Sequence, residues 1–93
     1  LGNTHAAVSA FWSGMSSSVN AGHVHGPAAQ GMNANPPIFD LMPPSGVAGS
    51  VVHRLWDMGA NAAHLPNNLL YVNIHTATNP GGEIRAQLVP QCN

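Results

Sequence analysis

Apolar and polar residues alternate with a period of two in several short stretches of this chain. From His5 to Trp12, the residues Ala6, Val8, Ala10 and Trp12 alternate with His5, Ala7, Ser9 and Phe11. This is the pattern of a half-buried strand. Gly14 to Ser18 is turn-like, and Val19 to Gly26 reads as a second strand. Residues 27–37, rich in Gly, Asn, Ala and Pro, are too polar to be core and read as loop. Ile38 to Met42 is a short apolar strand, closed by the break Pro43-Pro44-Ser45-Gly46. Gly49 to Trp56 is predicted as a strand, with Val51, His53 and Leu55 on one face and Val52, Arg54 and Trp56 on the other. A helical turn is predicted around Ala60 to His64, ended by Pro66. Leu69 to Thr76 and Glu83 to Val89 are the last strands, separated by the turn Asn79-Pro80-Gly81-Gly82.

Six short strands punctuated by Gly and Pro, with no long helical period, predict an all-β fold. The architecture is a small antiparallel Greek-key-like sandwich or barrel. Ninety-three residues fit a single domain, 1–93. No internal repeat of about 20–50 residues points to a solenoid.

This pattern places histidines on strands. Side chains at i and i+2 of a strand share a face. His23 and His25 therefore project together, with their Cα atoms roughly 6.5–7 Å apart. Two imidazoles at that separation can grip one metal ion, and His75 on a neighbouring strand would be the third. Neutral imidazole is the usual ligand of copper and zinc. Pairing of the first two strands through the Gly14 to Ser18 turn would bring His5 near as a fourth ligand. One residue of slippage would reverse its face. The plainer alternatives are an exposed polar strand face for His23 and His25, and a corner hydrogen bond to Thr76 or Asn79 for His75. His53 and His64 read as surface residues. Met15, Met32, Met42 and Met58 share no spacing and read as packing rather than soft ligands. Glu83 and Arg85 share a face of the last strand. They are expected to form an ion pair, or hydrogen bonds that hold the 79–82 turn.

Composition narrows the function classes. Hydrophobic residues make up 44% of the chain but charged residues only 5%, with a formal net charge of −1. Two Arg and no Lys cannot supply the basic face of a nucleic-acid binder. The same scarcity excludes a polybasic membrane patch, and no apolar run approaches a membrane span. Low charge opposes association poorly, so the chain is expected to work within an assembly. Cys92, the single cysteine, is either an intermolecular bridge or a free thiol near the end. Leu1 reads as a processed or trimmed end. No nucleophile motif and no phosphate-cradling glycine loop is present, and Asp40 and Asp57 are isolated acids.

Two motifs carry a family resemblance. His23-Val24-His25-Gly26-Pro27-Ala28, then an almost unbroken run from Leu70 to Leu88 containing Tyr71-Val72-Asn73-Ile74-His75-Thr76 and Asn79-Pro80-Gly81-Gly82-Glu83-Ile84-Arg85, resembles the CHRD domain, the chordin-type module. The resemblance extends from about Thr4 to Leu88 and preserves both motifs in order. It implies an extracytoplasmic all-β domain (secreted, extracellular or periplasmic) without a defined enzymatic activity. A copper site built from the histidines is an extension of that resemblance. The family pattern has one or two further strands ahead of the segment that begins here at Leu1. A sandwich short of a leading strand would leave an open edge. That edge would recruit a strand from a partner chain or from another copy, in a homomeric or filamentous assembly.

The leading expectation is thus a non-enzymatic extracellular module that binds copper through His23, His25 and His75, with zinc as the runner-up. Tyr71, Asn73 and Thr76 are expected to orient the rings. One alternative class is a redox enzyme like copper–zinc superoxide dismutase, although no bridging histidine or acidic zinc ligand is evident. The other is a structural β-domain whose histidines only hydrogen-bond.

Overall fold

A computed structural model of the protein describes residues 4–90. The chain is all-β, with strands β1 (His5–Trp12), β2 (Val19–His25), β3 (Phe39–Asp40), β4 (Gly49–Asp57), β5 (Tyr71–Thr76) and β6 (Ile84–Gln87). One 3₁₀ helix, Gly59–His64, occupies the predicted helical turn. The strands form two antiparallel sheets, β1-β4 and β3-β2-β5-β6. Val8, Trp12, Val51 and Trp56 from the first sheet meet Val24, Val72 and Ile74 from the second in one core. Leu41 and Leu70, just outside their strands, are fully buried with them. Phe39 stacks on Trp56 across the sandwich, with ring centroids 5.1 Å apart.

The alternation of β1 holds: Val8 and Trp12 are buried and Ala6 and Ala10 half-buried, while the other four residues are exposed. In β2 the inward residues are Val19, Gly22 and Val24. A bulge at Asn20 keeps that face apolar. Val19 pairs with Thr76 and Ala21 with His75, so Asn20 is left over and turns to solvent, and Val19 takes its place in the core.

Two expectations are corrected. β1 does not pair with β2; it pairs with β4, His5 opposite Asp57 and Trp12 opposite Gly49. The segment between β1 and β2 is a crossing between the sheets rather than a hairpin. Met15 is buried within it, and the backbone N–H groups of Met15 and Val19 donate to the carbonyls of Val47 and Gly46 at 3.0 and 2.9 Å. The predicted faces of β4 also fail halfway along. Val8 pairs with Arg54 and Ala10 with Val51, so Val52 and His53 together oppose Ser9. This bulge shifts the parity, and Val51 and Trp56 both reach the core. His53 absorbs the extra residue with a left-handed φ of 53°, and its N–H donates to Ser9 Oγ at 3.0 Å.

Candidate metal centre

β2 and β5 are neighbours in the four-stranded sheet, with His23 opposite Asn73, His25 opposite Tyr71 and Ala21 opposite His75. Val24, Val72 and Ile74 face the core, which turns His23, His25, Tyr71, Asn73 and His75 to the outer face. On this face the three imidazoles converge. Each offers one ring nitrogen, and these three atoms lie within 4.8 Å of one another. Among the described residues no other group of three or more His, Cys, Asp or Glu side chains converges in this way.

His5 does not join them. It lies on the other sheet, where its Nε2 sits 3.7 Å from Asp57 Oδ2. Its predicted approach required β1 to pair with β2. Cys92 lies outside the described residues. His53 is exposed on β4, as expected.

Hydrogen bonds fix the rings. His25 Nδ1 faces the carbonyl of Ala34 at 2.9 Å, and His75 Nδ1 faces the carbonyl of Pro80 at 2.9 Å. A carbonyl only accepts, so both rings carry their proton on Nδ1 and present Nε2 as a lone pair. His75 Nε2 faces His23 Nδ1 at 3.3 Å. Two imidazole nitrogens on one ion, at bond lengths of about 2.0–2.1 Å and a tetrahedral angle, lie roughly 3.3 Å apart. His25 Nε2 is buried and has no hydrogen-bond partner at all. A buried acceptor without a partner is costly, and a cation shared with the two adjacent rings would satisfy it. The residues present therefore fit a metal ion.

Burial pushes the His25 pKa below the usual histidine value. The Ala34 carbonyl acts in the opposite direction, and His23, His75 and Arg85 add to the lowering. The ring is thus neutral at pH 7, the form that ligates metal.

A covering loop closes one side of the face. Tyr71 stacks on His25, ring centroids 5.2 Å apart and planes within 10°. The Tyr71 hydroxyl donates to the Ala34 carbonyl at 3.2 Å and accepts from the Ala34 N–H at 3.0 Å. The Arg85 guanidinium carbon lies 3.6 Å from the Tyr71 ring centre. Tyr71 is buried but Arg85 is half-buried, so this cation–π contact is worth about 1 kcal/mol. Gly26, directly after His25, lets the loop start close to the sheet. A Cβ there would lie 2.7 Å from the Leu69 carbonyl oxygen.

Glu83 organises the opposite end. Its carboxylate accepts from the Ser16 N–H and hydroxyl at 2.7 and 2.6 Å, from Thr76 Oγ1 at 2.8 Å and from Asn79 Nδ2 at 3.1 Å. These bonds hold its pKa down to about 2, those from Ser16 contributing most. The expected hydrogen bonding of the 79–82 turn is present. The Glu83–Arg85 ion pair is not, because the Arg85 guanidinium points to the covering loop. Thr76 is buried beneath the turn and Asn73 Nδ2 donates to the Gly81 carbonyl at 3.4 Å. Both shape the turn that carries Pro80 rather than touching a ring nitrogen.

A family model, the CHRD domain, matches residues 2–88. The chain belongs to the CHRD domain family. Comparison with curated proteins and with solved structures gives no match. The family model spans every element described above, so the three histidines and the covering loop are all part of the CHRD domain. None of the described helices of this CHRD domain is long and apolar enough to cross a membrane.

Proposed function

We propose that this CHRD domain is a secreted, non-enzymatic binding or structural module that holds a copper ion through His23, His25 and His75. The observation that supports this most is the bare, buried Nε2 of His25 beside two other imidazoles. Three nitrogen donors suit Cu(II), which heads the divalent affinity order. Zinc, also bound by three histidines and a water, is the runner-up. His23 and His25 supply one chelating strand, and His75 ties it to the adjacent strand.

Titration of the purified protein with Cu(II) against a chelator tests the reading. Wild type is expected to bind one equivalent, and the double variant His23→Ala/His25→Ala none. One equivalent bound by that variant at unchanged affinity rules the site out. Affinity is expected to weaken between pH 7 and about pH 5, because protons compete for the same nitrogens. A flat profile excludes imidazole ligation. Zinc in the native protein, in place of copper, selects the runner-up.

We propose further that copies of the domain associate through the outer edges of β1 and β6. Each of these strands has one neighbour only. Between them runs a groove of about 320 Å³ lined by Phe11, Trp12, Ile84, Leu88 and Val89, with the core residues Val72 and Ile74 on its floor. Phe11 and Val89 are about three-quarters exposed, at 75% and 73%.

A further inference from the structure

We infer that Arg85 is the positioning residue of the histidine site, holding His25 through Tyr71 and the covering loop as the Nδ1–H tautomer with Nε2 bare. The inference rests on the copper reading above for its purpose but not for its geometry. β5 lies between β2 and β6. His25 and Arg85 therefore flank Tyr71 from opposite sides, and the three groups form a stack of imidazole, phenol and guanidinium.

Both terminal nitrogens of the guanidinium are engaged, three of their bonds going to the loop and one to Gln87. Nη1 donates to the Met32 carbonyl and to Asn33 Oδ1, the latter at 3.2 Å. Nη2 donates to the Ala29 carbonyl at 3.0 Å and to Gln87 Oε1 at 2.9 Å. Gln87 in turn donates to the Ala28 carbonyl at 3.2 Å. Three contacts lead to Ala34: Arg85 binds residues 29, 32 and 33 just before it, the Tyr71 hydroxyl brackets the Ala34 peptide, and the Ala34 carbonyl accepts from His25 Nδ1–H.

The Ala34 carbonyl is the sole acceptor that selects between the two tautomers of His25. Nothing in its own side chain holds it there; it is a backbone group on a loop rich in Gly, Ala and Asn. The chain has two Arg and no Lys, and this Arg gives three of its hydrogen bonds to that loop. Without the guanidinium, residues 29, 32 and 33 lose these bonds, only the Tyr71 bracket holds the Ala34 peptide against His25, and His25 is free to move its proton to Nε2, the nitrogen a metal needs.

The tautomer can be read directly by ring nitrogen and carbon chemical shifts of His25 in the metal-free protein at a pH where the ring is neutral. Wild type is expected to be Nδ1–H. Arg85→Met, which keeps length and apolar bulk, is expected to give a mixture or Nε2–H. Arg85→Lys keeps the charge but not the fork and is expected to fall between. Copper affinity should drop about 10–100-fold in Arg85→Met, the usual effect of losing a ligand's hydrogen-bond partner. Tyr71→Phe, which loses the bracket and keeps the ring, should shift the tautomer in the same direction. An unchanged tautomer and affinity in Arg85→Met, with only thermal stability reduced, overturns the inference. Wild type that binds no copper yet shows the tautomer shift in Arg85→Met sinks the copper reading and leaves the positioning role standing.

Discussion

His53 sits in the left-handed region although it carries a Cβ, because the β4 bulge needs a residue that turns the strand there. That conformation costs an L-residue about 1–2 kcal/mol, while glycine adds back roughly 0.4–1 kcal/mol through the unfolded chain. His53→Gly is therefore expected to stabilise the fold by about 0.5–1 kcal/mol, measured by urea unfolding. Its N–H bond to Ser9 survives the change, so a loss of stability would show the bulge to be held by the imidazole instead. At this scale the sequence was informative about which histidines converge. Two histidines two apart on a strand share a face whatever the register, and their neighbour His75 follows once Leu70, Val72 and Ile74 are assigned inward. Their hydrogen-bond partners were not legible. Ala34 and Pro80 act through backbone carbonyls, which every residue possesses, and Arg85 acts on a loop with no period to place it.

The elements themselves follow the period-two pattern except where the bulges at Asn20 and at Val52–His53 shift it, since strands that are buried on one face must alternate. What the pattern does not contain is the partner of each strand. The Gly14 to Ser18 segment has the composition of a hairpin turn, yet it crosses between the sheets because Met15 has a place in the core and Ser16 and Ser17 have partners at the far turn. Ser17 Oγ accepts from the Thr78 N–H at 3.1 Å, and Ser16 donates to Glu83. Glu83 thus joins the β1–β2 crossing to the β5–β6 turn. Its folded-state pKa is about 2 against an ordinary 4.5. A depressed carboxylate contributes stability that is fully present above about 4.5 and lost as pH falls through about 2. Glu83→Gln is expected to lower the melting temperature at pH 7 and to flatten the acid limb of stability between those values. Parallel acid limbs for wild type and Glu83→Gln in thermal scans would assign the acid sensitivity elsewhere.

The molecule as a whole is a sandwich with one side open. Strand edges are usually blunted by Lys, Pro or carboxylates; β1 has none of these, and the bulge opposite Ser9 is its one irregularity. Self-association is expected to appear in light scattering as a mass above the monomer's 9.6 kDa, and Phe11→Lys on the exposed face is expected to reduce it. A monodisperse wild-type monomer across the micromolar range ends the assembly reading. The topology also sets an order of events. His25 and His75 are fifty positions apart (75 − 25), and contacts of such separation close late, after the intervening chain has been placed. A nascent or unfolded chain offers the His23–His25 pair alone. The full donor set comes into being only when β5 docks beside β2. On the copper reading proposed above, loading follows the docking of β5 beside β2, and the ion would be drawn from the compartment in which the chain finishes folding, not from the one in which it is made.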